Sequence, residues 1–141
     1  MTGLPARLPR SGSMTKTYSI LLVEDNTINY ELVIECFDGQ PYRVDVATDG
    51  GQAVAMFEAG HYDLVLMDLQ LPVMDGLAAT GRIRAIEKDT GRARTPVIAV
   101  TANAFPRDRD LCLAAGMDDY ISKPFDLDAF DAMVARWLGR R

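Results

Sequence analysis

The chain has 141 residues, a length that suits one domain with a core of its own. It is 48% hydrophobic and 25% charged, ordinary for a globular protein. No apolar run approaches the roughly 20 residues that span a bilayer, and no apolar central region near the start marks a secretory leader. The net charge is −5, and −7 once Arg7 and Arg10 are set aside with the first thirteen residues. An acidic unit fits non-specific nucleic-acid binding poorly, because that binding relies on Lys and Arg to neutralise phosphates.

Residues 1–13 are rich in Pro, Gly, Ser and Arg and read as a disordered extension or a cloning scar. Met14 stands as a second start, so the folded unit is expected over 14–141. Cys36 and Cys112 lie far apart in apolar helical patterns and read as small buried hydrophobes of a reducing cytoplasm rather than a disulfide. His61, the one histidine, has no ligand partner at useful spacing and reads as a surface residue before a strand.

From Tyr18 the sequence alternates short apolar runs with longer amphipathic ones. Ser19 to Val23 is continuously apolar after its first residue, as expected of a strand covered on both faces. Glu24-Asp25-Asn26 stops it, and Asn26 is placed to cap a helix from about Thr27 to Phe37, with Ile28, Leu32 and Cys36 as its apolar face. Tyr42 to Ala47 alternates polar and apolar, which predicts an edge strand. Asp49 then caps a helix with Ala53, Val54 and Phe57 turned inward, closed at Gly60. Asp63 to Met67 is the next strand and leads into Asp68. A Pro- and Gly-containing loop follows, then a helix from Leu77 to about Lys88.

Pro96 to Val100 predicts a fourth strand, with Thr101 at its end. Pro106 opens a helix running to Ala115, and Gly116 ends it. Asp119 to Ser122 is a short fifth strand before Lys123-Pro124. Asp126 caps a last helix, with Phe125 and Phe130 as a hydrophobic staple and Leu127, Phe130, Val134 and Trp137 as its core face. Five strands alternating with helices predict an α/β fold: a doubly wound parallel sheet with helices on both faces.

In such a fold ligands bind beyond the carboxyl ends of the strands, where strand order reverses. Strand one ends in Glu24-Asp25, strand three in Asp68, strand four in Thr101 and strand five in Lys123. Clustered carboxylates repel, so some must protonate or a cation must neutralise them. Oxygen-only donors with room for water suit Mg²⁺. Beside such an ion Asp68 is placed as a nucleophile toward phosphorus, with Lys123 and Thr101 able to engage a phosphoryl oxygen. An isolated strand-end Asp usually just caps a helix or solvates a loop; five polar residues at one sheet edge argue otherwise. The basic residues Arg82, Arg84, Lys88, Arg92 and Arg94 read as a solvated helix face rather than a binding patch.

Four segments resemble the receiver domain of two-component response regulators, of the CheY-like kind, over about Tyr18 to Leu138. They are Leu22-Val23-Glu24-Asp25-Asn26, Met67-Asp68-Leu69-Gln70-Leu71-Pro72-Val73-Met74-Asp75-Gly76, Val100-Thr101-Ala102-Asn103-Ala104 and Asp119-Tyr120-Ile121-Ser122-Lys123-Pro124. The resemblance implies the flavodoxin-like strand order 2-1-3-4-5. It implies that Asp68 accepts a phosphoryl group from a histidine kinase or histidine phosphotransfer protein, and that the unit is not an enzyme beyond its own phosphorylation and dephosphorylation. Asp25, Asp68 and the backbone carbonyl of Gln70 are then the Mg²⁺ ligands, and Glu24 acts through a bound water. Thr101 and Lys123 are the switch hydroxyl and the phosphate-pairing lysine. Tyr120 is the aromatic that turns inward when Thr101 engages the phosphate, altering a face made by the fourth helix, fifth strand and fifth helix for a downstream protein.

The sequence departs from many receivers at Glu24, where Asp is common, and Gln70 and Asn103 occupy positions that tune phosphoryl lifetime in the family. The expected unit is a cytoplasmic monomer or weak homodimer, without membrane or nucleic-acid partners. A stand-alone regulator without an output domain is the first reading. A receiver excised from a hybrid histidine kinase and a phosphorylation-independent interaction module are the alternatives. A flavin carrier is disfavoured because Glu24-Asp25-Asn26 would repel a phosphate. A haloacid-dehalogenase phosphatase is disfavoured because Gln70 stands where it needs a second Asp.

Overall fold

The structure is a computed structural model and describes residues 16–69, 71, 74–101, 106–122 and 126–139. Residues 1–13 and the expectations attached to Gln70, Asn103, Lys123 and Phe125 lie outside those residues.

Ten elements alternate in the predicted order: β1 (Tyr18–Val23), α1 (Thr27–Cys36), β2 (Tyr42–Ala47), α2 (Gly50–Ala59), β3 (Leu64–Asp68), α3 (Gly76–Thr90), β4 (Val97–Thr101), α4 (Pro106–Ala114), β5 (Asp119–Ser122) and α5 (Leu127–Trp137). Every strand pair is parallel, and the sheet order is β2-β1-β3-β4-β5. The alternating β2 is an edge strand, as its pattern predicts.

The apolar runs of β1, β3 and β4 are buried on both faces because alternate residues feed two separate cores. Leu21, Val23, Val65, Met67, Val97 and Ala99 meet Ala53, Val54 and Phe57 of α2, Ala79 and Ile83 of α3 and Cys112 of α4. Ile20, Leu22, Leu64, Leu66, Ile98 and Val100 meet Val33 and Phe37 at α1 and Phe130 and Val134 of α5. Three helices therefore cover one face and two the other.

The helix starts follow their cap residues. Asn26, Asp49, Asp75 and Asp126 each accept a backbone N–H of the first turn. The helix after the Asp68 loop runs two residues past its expected end, to Thr90. Gly91 stops it in the left-handed conformation with φ of 72°, which a side chain disfavours.

Two expectations are corrected. Ile28 is 77% exposed and Leu32 is exposed as well, while the inward face of α1 is Tyr30, Val33 and Phe37. Apolar residues occur almost all round this helix, so periodicity alone does not select the buried side. The arginines, in turn, are neither a patch nor a solvated face. Arg84 bonds Glu87, Asp118, the Thr95 carbonyl and the Gly116 carbonyl. Arg92 donates to the carbonyls of Phe57, Glu58 and Gly60 at the end of α2, and Arg94 pairs with Asp118. Arg82 and Lys88 keep the exposed setting expected for the group, and so does Arg94 despite its pairing, whereas Arg84 and Arg92 are drawn partly inward.

Candidate functional site

Strand order reverses between β1 and β3, since β2 lies on one side of β1 and β3, β4 and β5 on the other. Val23 is the register partner of Met67, so the next residues, Glu24 and Asp68, emerge side by side at the carboxyl edge. The ladder continues one bond beyond each strand: the Glu24 N–H donates to the Ala47 carbonyl at 2.9 Å and the Leu69 N–H to the Val100 carbonyl at 3.2 Å. These bonds hold the backbones of the two acids in the frame of the sheet rather than in a free loop.

Glu24 and Asp68 are each 4% exposed, whereas Asp25 faces solvent. The Asn26 N–H donates to Glu24 Oε2 at 3.2 Å, and Asn26 Oδ1 accepts the Asn29 N–H at 3.0 Å to start α1. The acids and the helix cap are thus one continuous turn. Carboxylate oxygens of Glu24, Asp25 and Asp68 lie within 4.8 Å of one another, and this is the metal-capable cluster among the described residues. Three oxygen donors, two on buried side chains, without nitrogen or sulfur, fit a hard cation of the Mg²⁺ type.

Beyond Asp68 the chain closes on itself. The Gly76 N–H donates to the Leu69 carbonyl at 3.3 Å, and Asp75 Oδ1 accepts the Ala78 N–H at 2.8 Å, so α3 begins directly under the phosphoacceptor candidate. A Cβ on Gly76 would lie 2.5 Å from the Asp68 carbonyl oxygen, closer than such atoms approach. The Asp75-Gly76 pair reads in the sequence as a turn dipeptide; its close approach to Asp68 is a tertiary fact with no sequence signal beyond the glycine.

Thr101 ends β4, is 2% exposed, and stands one residue beyond Val100, the register partner of Asp68. Tyr120 on β5 pairs in register with Ala99 and is half-buried against the core cluster under α2, α3 and α4. Glu24, Asp25, Asp68 and Thr101 therefore share one edge. Lys123 and Gln70 fall outside the described residues. The β5 edge is braced on both sides. Asp119 accepts Trp137 Nε1 at 2.8 Å and Arg136 at 3.2 Å, and Asp118 accepts the Val97 N–H at 2.9 Å beside Arg84 and Arg94. Within this clasp only the i, i+3 spacing of Arg84 and Glu87 is visible in the sequence.

The family model of the response regulator receiver domain matches residues 20–135. Hybrid signal transduction histidine kinase I of Dictyostelium discoideum is 38% identical over 121 residues, which cover 82% of this chain and 7% of that protein. Sensor protein GacS of Pseudomonas syringae is 39% identical over 121 residues, covering 85% and 13%. The chain spans only a small part of the curated relatives it matches.

Among solved structures, the receiver domain of a sensor histidine kinase from Pseudomonas aeruginosa, with a magnesium ion in its active-site cleft, superposes with a TM-score of 0.78 at 46% identity. That match covers 87% of this chain and 98% of that one. The receiver of the Saccharomyces cerevisiae response regulator Ssk1, crystallised with the histidine phosphotransfer protein Ypd1, gives a TM-score of 0.82 at 32% identity, covering 86% and 89%.

Proposed function

This chain belongs to the response regulator receiver domains of two-component signalling, and on that premise we propose that Asp68 is its phosphoacceptor, phosphorylated in a Mg²⁺-dependent transfer. The observation that carries the reading is the buried Asp68 at the sheet's reversal point, within 4.8 Å of Glu24 and Asp25. An Asp68 carboxylate oxygen attacks the phosphorus of a phosphohistidine; the P–N bond breaks, and the imidazole leaves with its electron pair and takes up a proton. The β1–β3 register aims the nucleophile, and burial of its side chain limits competition from water.

Asp25, Asp68 and the Gln70 carbonyl, with Glu24 through a bound water, would hold Mg²⁺, which supplies positive charge where the carboxylates and transferred oxygens crowd. Thr101 and Lys123 bind oxygens of the aspartyl phosphate. Tyr120 then turns inward, altering the α4–β5–α5 face that a downstream protein reads. The receiver unit is placed at 14–141, and it catalyses nothing beyond gain and loss of its own phosphoryl group. The donor is a histidine kinase or phosphotransfer protein, in keeping with the yeast complex. The exposed Ile28 and Leu32, beginning two residues after the Asn26 cap, give that donor an apolar landing beside the acids.

A second reading, a receiver carried within a hybrid histidine kinase, is favoured by relatives of that description at 38–40% identity. Reading the source frame on either side of the chain separates it from a stand-alone regulator. The phosphoacceptor itself is tested with a small phosphodonor and Mg²⁺: intact mass is expected to rise by one phosphoryl group in the wild type and not in Asp68→Asn. A label that persists in the Asn variant would overturn the assignment.

A further inference from the structure

β2 is an end strand of the sheet, and its sequence is complementary to itself when two copies run antiparallel. The Tyr18 N–H donates to the Pro41 carbonyl at 2.8 Å and the Glu24 N–H to the Ala47 carbonyl at 2.9 Å. Pro41, Arg43, Asp45 and Ala47 therefore turn their main chain toward β1, and Val44 and Val46 turn theirs outward. An open strand edge of this kind is a template for another strand. The side chains divide in the same way. Tyr42, Val44 and Val46 are half-buried on the α1 face, beside an open cleft that Ile34 and Phe37 also line. Arg43 and Asp45 lie on the opposite face. Arg43 is exposed and stands 3.5 Å from Asp45 Oδ1, while Asp45 Oδ2 accepts the Tyr62 hydroxyl at 2.8 Å, which holds the carboxylate at the edge.

We propose that β2 is a self-association edge, pairing antiparallel with β2 of a second copy of this chain about a two-fold axis at Val44. The two sheets then join into one. Val44 meets the partner's Val44 as a hydrogen-bonded pair, each N–H donating to the other's carbonyl, and Tyr42 meets the partner's Val46. Arg43 meets the partner's Asp45, and Asp45 the partner's Arg43, at the non-hydrogen-bonded positions where side chains come closest. Charge selects this register. An axis at Arg43 sets arginine against arginine, and an axis at Asp45 sets carboxylate against carboxylate. The axis at Val44 is the one along β2 that opposes unlike charges, the self-complementarity a two-fold contact needs. One short strand from each copy makes a small interface, so the association is weak. This inference goes beyond the phosphoacceptor reading and stands independently of it.

The test is sedimentation equilibrium of the full chain from micromolar to millimolar concentration, with circular dichroism on each variant. Wild type is expected to reach a dimer. Arg43→Glu sets carboxylates opposite one another on both sides of the axis and should weaken association roughly tenfold or more. Asp45→Lys should do the same by opposing cations. Mixed in equal amounts, these two variants restore unlike charges across the axis, and a heterodimer of wild-type strength is expected. Val44→Pro removes the outward N–H while leaving the bonds to β1 in place, so it should abolish the dimer with the fold intact. A wild type still monomeric at millimolar concentration overturns the proposal. A dimer that either Arg43→Glu or Val44→Pro leaves at wild-type strength also overturns it, since the contact then lies elsewhere. Asp45→Lys removes the acceptor of the Tyr62 hydroxyl as well; should that variant not fold, Arg43→Glu and Val44→Pro decide.

Discussion

Neutralising Asp68, the proposed nucleophile, should make the metal-free protein more stable. At a separation of 4.8 Å and an effective dielectric of about 20, two carboxylates repel by roughly 3.5 kcal/mol. Asp68→Asn removes two such pairs, one with Glu24 and one with Asp25. The exposure of Asp25 and the other contacts of Asp68 screen most of that sum, which leaves a net gain of about 2 kcal/mol. For a domain of this size that gain corresponds to a rise of roughly 6–10 °C in unfolding midpoint. The assay is a thermal or urea melt of wild type and variant in EDTA and again in Mg²⁺. Mg²⁺ at ten times its dissociation constant stabilises the wild type by about 1.4 kcal/mol, so the gap should narrow when the ion is present. An Asn variant no more stable than wild type in EDTA, or a gap insensitive to Mg²⁺, would refute the idea that the acids are held together against their own repulsion.

Three further outcomes are expected. Arg84→Ala leaves Glu87 and Asp118 short of a buried partner; both keep backbone N–H donors, from Thr95 and Val97, so the loss is set at about 3 kcal/mol. Arg84→Lys should not restore it, because the fork that reaches both acids is gone, and a urea-melt loss below about 1 kcal/mol would contradict the clasp. Ile28→Asp should slow transfer from a phosphohistidine protein while leaving labelling by a small phosphodonor and stability within about 0.5 kcal/mol of wild type; equal slowing with both donors would argue against a docking role. Burial, reinforced by its hydrogen bond to Asp45, pushes the Tyr62 phenol from 10.0 to about 12. Its folded value is the higher one, so its contribution to stability is complete below the unfolded value and is lost as pH rises between the two. A tyrosinate absorbance titration should show a late ionisation that Tyr62→Phe removes.

The acid cluster also shows a division of labour within one sheet edge. Glu24 and Asp68 are held by ladder bonds continued past the strand ends, so their repulsion is resisted by the sheet rather than relieved by loop movement. Asp25, without burial, can lean toward solvent. On the proposed reading, a site built this way sacrifices some stability in its metal-free form and would hold its acids in place for a cation and a phosphoryl group, a trade common where activity depends on crowded charge.

The sequence by itself determined the elements and brought the candidate site residues to one sheet edge. Strand-length apolar runs bounded by turn residues read as strands covered on both faces, Asn26, Asp49 and Asp126 sit where helix starts need an acceptor, and a carboxylate ending such a strand belongs to the ligand edge of an α/β sheet. The four family segments then supplied, by resemblance, the partners proposed for Asp68. Tertiary structure decided what local pattern leaves degenerate. Helix α1 is apolar nearly all round, and only the sheet beneath it chose Val33 and Phe37 over Ile28 and Leu32. Arg84 and Arg92 read as solvated because charge alone does not reveal a carbonyl or a carboxylate that is distant in the chain. Gly50 and Gly76 look like ordinary helix-start glycines until the Met74 carbonyl is found against the first and the Asp68 carbonyl against the second. Gly76 aside, the deciding contact joins segments far apart in sequence, and neither propensity nor periodicity carries information across that separation.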